Sequence, residues 1–160
     1  MKAYLDTVLV SSIVRRDLDE IEQAALSTLL QLRSSGRIEV VTSSVTREEI
    51  ARLPREHRGP HEDILHLLEL IELAPEARTD SGLMLMGVGG GLREDPDFTA
   101  LKSVLPDEAD ARHVFQALRC DATHFVTTDR RTILGRRANL GTFPIQFVLP
   151  SEALSDTGED

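Results

Sequence analysis

Cysteine is almost missing from this chain of 160 residues: Cys120 stands alone. That excludes an internal disulfide and a multi-cysteine metal cluster, and it suits a reducing compartment. Long apolar runs are missing too, and the longest falls well short of the roughly 20 residues that span a bilayer. Met1–Asp6 holds one lysine and reaches an aspartate at once, which is not a signal-peptide pattern. Together these set the expectation of a cytoplasmic protein with no membrane partner. Lysine is scarce as well, since 16 of the 18 cationic side chains are arginine and only Lys2 and Lys102 are not. Arginine makes bidentate contacts with phosphate, although base composition of the gene would give the same bias.

A hydrophobic fraction of 41% in a chain of this length fits one globular domain with a substantial core. The net charge of −9 argues against a broadly basic nucleic-acid surface. Four acids and no bases fall in the last ten residues, however, so the first 150 carry only −5. The expected organisation is a single domain over 1–154, with 155–160 as a disordered acidic tail.

Strands and helices alternate along the chain. "MKAYLD" reads as a first strand ending in Asp6, and "DLDEIEQAALSTLLQLRSSG" as a helix stopped by Gly36. "RIEVVTS" reads as a strand, "SVTREEIARLP" as a short helix and "GPHEDILHLLELIELAP" as a longer one between Pro60 and Pro75. "PDEADARHVFQALRC" predicts a helix, "THFVTTD" a strand, "RRTILGRR" a short helix and "FPIQFVLP" a last strand. The glycine-rich "SGLMLMGVGGGLREDPDF" has no strand before it and lacks Gly-Lys-Ser/Thr, so it reads as a connection and not as a phosphate loop. The alternation predicts a three-layer α/β/α, Rossmann-like domain with a central, mostly parallel sheet.

Ligand sites in such sheets lie at the carboxyl ends of the strands. Asp6 and Asp129 stand at two of those ends, and Glu49 and Asp110 stand near the starts of helices able to lie beside them. Each acid also has a purely structural explanation. Thr46-x-x-Glu49 matches a capping box, Asp107, Glu108 and Asp110 favour a helix N-terminus, and Asp6 and Asp129 can each cap the next segment of chain. Two strand-end aspartates nevertheless go against strand propensity. Carboxylates brought close together need a cation or raised pKa values. An all-oxygen set suits Mg²⁺ or Mn²⁺, which activate water and stabilise phosphoryl charge. The expected chemistry is metal-assisted phosphodiester hydrolysis.

These residues resemble the PIN (PilT N-terminus) domain nucleases. The resemblance rests on "AYLDT", "VVTSSVTREEI", "DEADARHVFQALRCDATHFVTTDRRTIL" and "IQFVLPSEAL", in that order, and leaves Gly82–Val104 unmatched. It implies a divalent-metal endoribonuclease whose Mg²⁺ or Mn²⁺ ligands are Asp6, Glu49, Asp110 and Asp129. Thr127 matches the Ser/Thr that supports the last acid. The third acid could also be Asp107 or Glu108. Asp110 is preferred because it shares a helical stripe with His113, Val114 and Ala117. Glu48 is a second candidate for the helix glutamate, with Glu49 favoured by its spacing from Thr42-Ser43. Val8 stands where many members carry asparagine, so a PIN-like RNA-binding or regulatory module without catalysis is the alternative reading.

Arg130 and Arg131 come directly after Asp129 and read either as a solvated face or as a phosphate clamp for RNA. Arg136, Arg137, Arg15 and Arg16 belong to the same question. His57, His61 and His66 are not spaced to stack on one helix face, and His113 reads as a satisfied buried histidine. In "HEDILHLLELIEL" apolar residues cover most of the circumference, which predicts burial or contact with another chain. Bacterial PIN members act as toxins, so the resemblance adds two expected partners: a second copy in a homodimer, and a separately encoded antitoxin.

Overall fold

The computed structural model describes residues 1–67, 72–74 and 95–158. Its centre is a five-stranded sheet in the order β3-β2-β1-β4-β5, built from β1 (Lys2–Leu5), β2 (Glu39–Ser43), β3 (Glu72–Ala74), β4 (His124–Val126) and β5 (Gln146–Val148). Every pairing is parallel, with Tyr4 opposite Val41 on one side and Phe125 on the other. The strand order reverses between β1 and β4. That is the topological switch point, where the diverging connections leave a crevice beyond the strand ends.

Alternation along each strand sorts the core into two layers. Tyr4, Val41, Phe125 and Phe147 face α5 (Pro96–Val104), α6 (Glu108–Arg119) and α7 (Arg137–Leu140), packing on Leu101, Val114, Phe115 and Leu140. Ala3, Leu5, Val40, Val126 and Val148 face α1 (Thr7–Arg15), α2 (Glu20–Ser34) and α8 (Pro150–Ser155), against Leu9, Leu26, Leu29 and Ala153. The expected α/β/α sandwich is therefore present. Tyr4 and Phe125 stack at 5.3 Å, and Phe125 meets Phe147 at 5.6 Å. This aromatic row ties the three strands around the switch point, each pair contributing roughly 0.5–1.5 kcal/mol beyond area burial.

Local chemistry sets most boundaries. Asp19 caps α2, and Gly36, at φ 74°, stands just past its end as expected. Ser43 caps α3 (Ser44–Arg52) by accepting from Val45 N, so the Thr46–Glu49 capping box does not form. Asp107 caps α6, accepting from Ala109 N at 2.8 Å.

Several elements differ from the sequence reading. The helix expected over 59–75 is α4 (Arg55–Leu67), which starts earlier and holds Pro60 inside it, and Glu72–Ala74 is instead the edge strand β3. A continuous apolar run looks alike in a helix and in a buried strand, and pairing with β2 decides between them. The interface expected on "HEDILHLLELIEL" rests largely on residues outside the described ones, as does most of the glycine-rich connection.

Three helices were not expected at all. α1 opens directly on Asp6, α5 on Asp95-Pro96, and α8 on Pro150 with Glu152 reaching back to Leu149 N. "RRTILGRR" is not one helix but a turn, a 3₁₀ segment (Leu134–Arg136) and then α7. Its Gly135 lies so close to the Arg130 carbonyl that a Cβ would meet it at 2.9 Å. Ser155 closes α8, and the turn after it is held to β4 by His124 Nε2, 3.2 Å from Asp156.

Candidate active site at the switch point

Asp6 leaves the sheet at the carboxyl end of β1 and is only 3% exposed. Its Oδ1 accepts from Val8 N at 3.3 Å, capping α1, and its Oδ2 accepts from the Thr127 hydroxyl at 2.7 Å. Thr127 is the first residue beyond β4, so this bond crosses the switch point. Burial raises the Asp6 carboxyl, the charge of Glu49 adds to that, and His113 and Thr127 only partly counter it.

Asp129 lies two residues further along. Its backbone N–H donates to the same Thr127 oxygen at 3.0 Å. Its Oδ1 accepts from Arg131 N and Thr132 N, both at 2.9 Å, and its Oδ2 accepts from the Thr132 hydroxyl. Burial alone would raise this carboxyl, but those donors and the Arg131 charge hold it below the usual carboxylate range. Thr127 thus supports the first acid with its proton and the last only through backbone, which corrects the role expected of it.

Asp110, in the first turn of α6, lies within electrostatic reach of both. Burial first, then the charges of Asp6, Asp107 and Asp129, push its carboxyl up to about 6 against the Thr132 hydroxyl beside it. Of the other candidates in that helix start, Asp107 is committed to capping and Glu108 is exposed at the first position of α6. The geometry therefore favours Asp110.

Glu49 projects from α3 and accepts from His113 Nε2 at 2.9 Å. Burial would raise it, yet the His113 bond and charge, the Thr7 hydroxyl and Arg52 bring it below the usual range. Its neighbour Glu48 turns the other way, into a two-bond pair with Arg112 at 3.0 and 3.3 Å. Among the two glutamates, only Glu49 faces the rim.

His113 is satisfied on both ring nitrogens, by Glu49 and by the Tyr4 hydroxyl at 2.9 Å. Sequence reasoning did not single out Thr7, Tyr4 or Thr132 for this site. The signals were present in Thr7 directly after the strand-end aspartate, in Tyr4 two residues before it, and in Asp129-x-x-Thr132, the spacing of a side chain that caps its own turn. Of the arginines, Arg137 pairs with Glu152 at 2.9 Å and Arg15 with Asp17 at 2.7 Å, whereas Arg130 and Arg131 are exposed beside the acids. His61 bonds to the His57 carbonyl at 2.8 Å, as a structural residue would.

All four acids thus share one rim, but each carboxylate already has local partners. Among the described residues no three His, Cys, Asp or Glu side chains form a ready metal-holding group. The electrostatics still fit a hard cation. The set is all oxygen, and Asp6 and Asp110 are both raised by burial and by acidic neighbours, the condition that a divalent ion relieves. No protein-family model, curated protein or solved structure matches this chain.

Proposed function

We propose that this protein is a divalent-metal-dependent endoribonuclease, with Asp6, Glu49, Asp110 and Asp129 holding Mg²⁺ or Mn²⁺. The observation that carries this reading is the Thr127 hydroxyl bridge, which brings the acids after β1 and β4 together at the switch point. The resemblance of the same residues to PIN-domain nucleases supports it. When bound, such an ion supplies Lewis acidity that activates water and neutralises phosphoryl charge. The chain's own contribution is to hold a carboxylate pair in low-dielectric surroundings and to raise Asp110 toward neutrality. Arg130 and Arg131 supply exposed cations for the phosphodiester backbone of RNA. The toxin role, with a separately encoded antitoxin and a homodimer, rests on the resemblance alone, and an antitoxin frame beside the gene would test it.

Purified protein is expected to cleave single-stranded RNA with Mn²⁺, to stop when chelator is added, and to lose activity in Asp6→Asn and Asp129→Asn. Cleavage unchanged in both variants would overturn the reading. A second reading, a PIN-like RNA-binding or regulatory module without catalysis, is favoured by one specific observation. The Asp129 carboxylate already accepts three hydrogen bonds within its own turn, and Glu49 accepts one from His113. Calorimetry separates the two, because the module would bind no Mn²⁺ at millimolar ion.

Among the described residues no helix is long and apolar enough to cross a membrane.

A further inference from the structure

His113 lies at the meeting point of two sets of hydrogen bonds, and the one to Glu49 fixes where its proton is. The first begins at the sheet. Thr42 donates to the Leu5 carbonyl at 2.9 Å, so Thr42 must accept from Thr46, 2.7 Å away. Thr46 in turn accepts from Thr7 at 3.2 Å. Thr7 also lies 3.0 Å from His113 Nε2, and its single proton faces both Thr46 and the Glu49 carboxylate, so this chain does not by itself set the ring's proton. The second is to Glu49, an ionised carboxylate that only accepts, 2.9 Å from the same nitrogen. Glu49 therefore requires a proton on Nε2. On the far side of the ring, Tyr4 OH stands 2.9 Å from Nδ1 and 2.6 Å from Ser43 Oγ. Ser43 can donate a hydrogen bond to the Tyr4 oxygen and Tyr4 can donate one to Nδ1, which leaves a ring protonated at Nε2 fully satisfied. The ring is 2% exposed, so water does not compete for either nitrogen.

The geometry points to His113 as the positioning residue of this site: with Nδ1 turned to the Tyr4 hydroxyl and an Nε2–H facing Glu49, it holds the Glu49 carboxylate at the switch point beside Asp6. The Glu48–Arg112 pair ties α3 to α6 from the outside, and the His113–Glu49 bond turns the second glutamate inward, toward the sheet. A histidine oriented by one partner and orienting a carboxylate with its other nitrogen is how ligand groups are commonly held in place. This role deepens the proposed metal-dependent reading and rests on it for the word "site". The hydrogen-bond arrangement itself does not depend on any metal.

Two measurements test it. Long-range nitrogen–proton NMR of the metal-free protein should show His113 protonated at Nε2, and Glu49→Ala should shift that resonance. A neutral ring protonated at Nδ1, or an Nε2 signal unmoved by Glu49→Ala, overturns the proposal. The wild-type spectrum needs no variant to fold. Mn²⁺ calorimetry should then show about a 10- to 100-fold loss of affinity in His113→Leu, the range typical of removing a residue that orients a metal ligand. His113→Gln, which returns an N–H near the place of Nε2, should recover to within about 3-fold of wild type, whereas a purely space-filling role would favour the leucine. Equal Mn²⁺ affinity in wild type and a folded His113→Leu overturns the positioning role. If wild type binds no Mn²⁺ at all, the metal-dependent function falls, and the NMR spectra still decide whether His113 holds Glu49.

Discussion

The Thr127 hydroxyl donates to Asp6 Oδ2 at 2.7 Å while its oxygen accepts from Asp129 N at 3.0 Å. One side chain thereby joins the segments that leave β1 and β4, the two strands between which the sheet reverses its order. Thr127 and Asp6 are both buried, so the Asp6 oxygen has no ready water to replace the hydroxyl. Thr127→Val keeps the shape and removes both bonds. It is expected to destabilise the fold by about 2 kcal/mol, the usual cost of leaving buried polar partners unsatisfied, whereas Thr127→Ser should recover most of that. Denaturant unfolding checks both, and a valine variant as stable as wild type would show that the bridge contributes nothing.

The two adjacent glutamates of α3 should behave as opposites. Glu48 is drawn below the usual range by its bond to Arg112, and it lies at a partly exposed ion pair that contributes only about 0.5 kcal/mol. Glu48→Gln is therefore expected to leave RNA cleavage within about 2-fold of wild type. Glu49→Gln removes a carboxylate from the rim and should abolish cleavage while changing stability little. Comparing initial rates of the two purified variants decides the matter. Equal loss in both would mean that the helix, and not the rim carboxylate, is what the site requires.

How legible these features were in the sequence depended on how local their cause was. Asp6 and Asp129 could be read at once, because an aspartate at the end of an apolar strand has few other reasons to be there. The layer architecture came from alternating periods of apolar residues. The edge strand at Glu72–Ala74 was hidden in an apolar run that also fits a helix, and only pairing with Val41–Ser43 decides it. α1 was missed because Thr7, Val8, Val10 and Val14 are β-branched residues of low helix propensity, although Asp6, which the sequence offers as a cap, does accept from Val8 N. The preference for Glu49 over Glu48 came from its spacing to Thr42-Ser43, and the structure adds a bond to His113, which is 64 residues away in sequence. No local pattern could supply it.

Asp110 gives the site a distinctive pH dependence. Its folded pKa, about 6, lies above the ordinary value of 3.8, so the folded state holds its proton more tightly than the unfolded chain does. The associated stability is fully present below about pH 4 and is lost as pH rises through about 6. Because the group is only partly buried, solvent screening reduces the effect to about 1 kcal/mol. Glu48, Glu49, Asp129 and Glu152 are shifted downward and act in the opposite sense, so the clean readout is a difference. Metal-free Asp110→Asn should gain stability over wild type at about pH 7.5 and lose that advantage at about pH 4.5. A difference that does not change with pH would show that Asp110 ionises normally.

Arg130 and Arg131 are the remaining question, since on the proposed function an acidic chain would have to hold a polyanion. Both are exposed, and the charge of Arg131 acts on Asp129 while that of Arg130 acts on Glu152. If they contact phosphates, each contributes to the salt dependence of binding through released counterions, with a slope of about 0.7 per contact on a single strand. Arg131→Ala should weaken RNA binding alike for unrelated sequences and flatten the plot of log Kd against log salt by about that amount. Arg137→Ala is the control, because its guanidinium is already held by Glu152 at 2.9 Å. It should cost stability through that pair and leave the salt slope unchanged. The binding series is run with Asp6→Asn and without divalent ion, so that cleavage does not consume the ligand. An unchanged slope in the double variant Arg130→Ala/Arg131→Ala would remove these arginines from the RNA path and leave them as a solvated face.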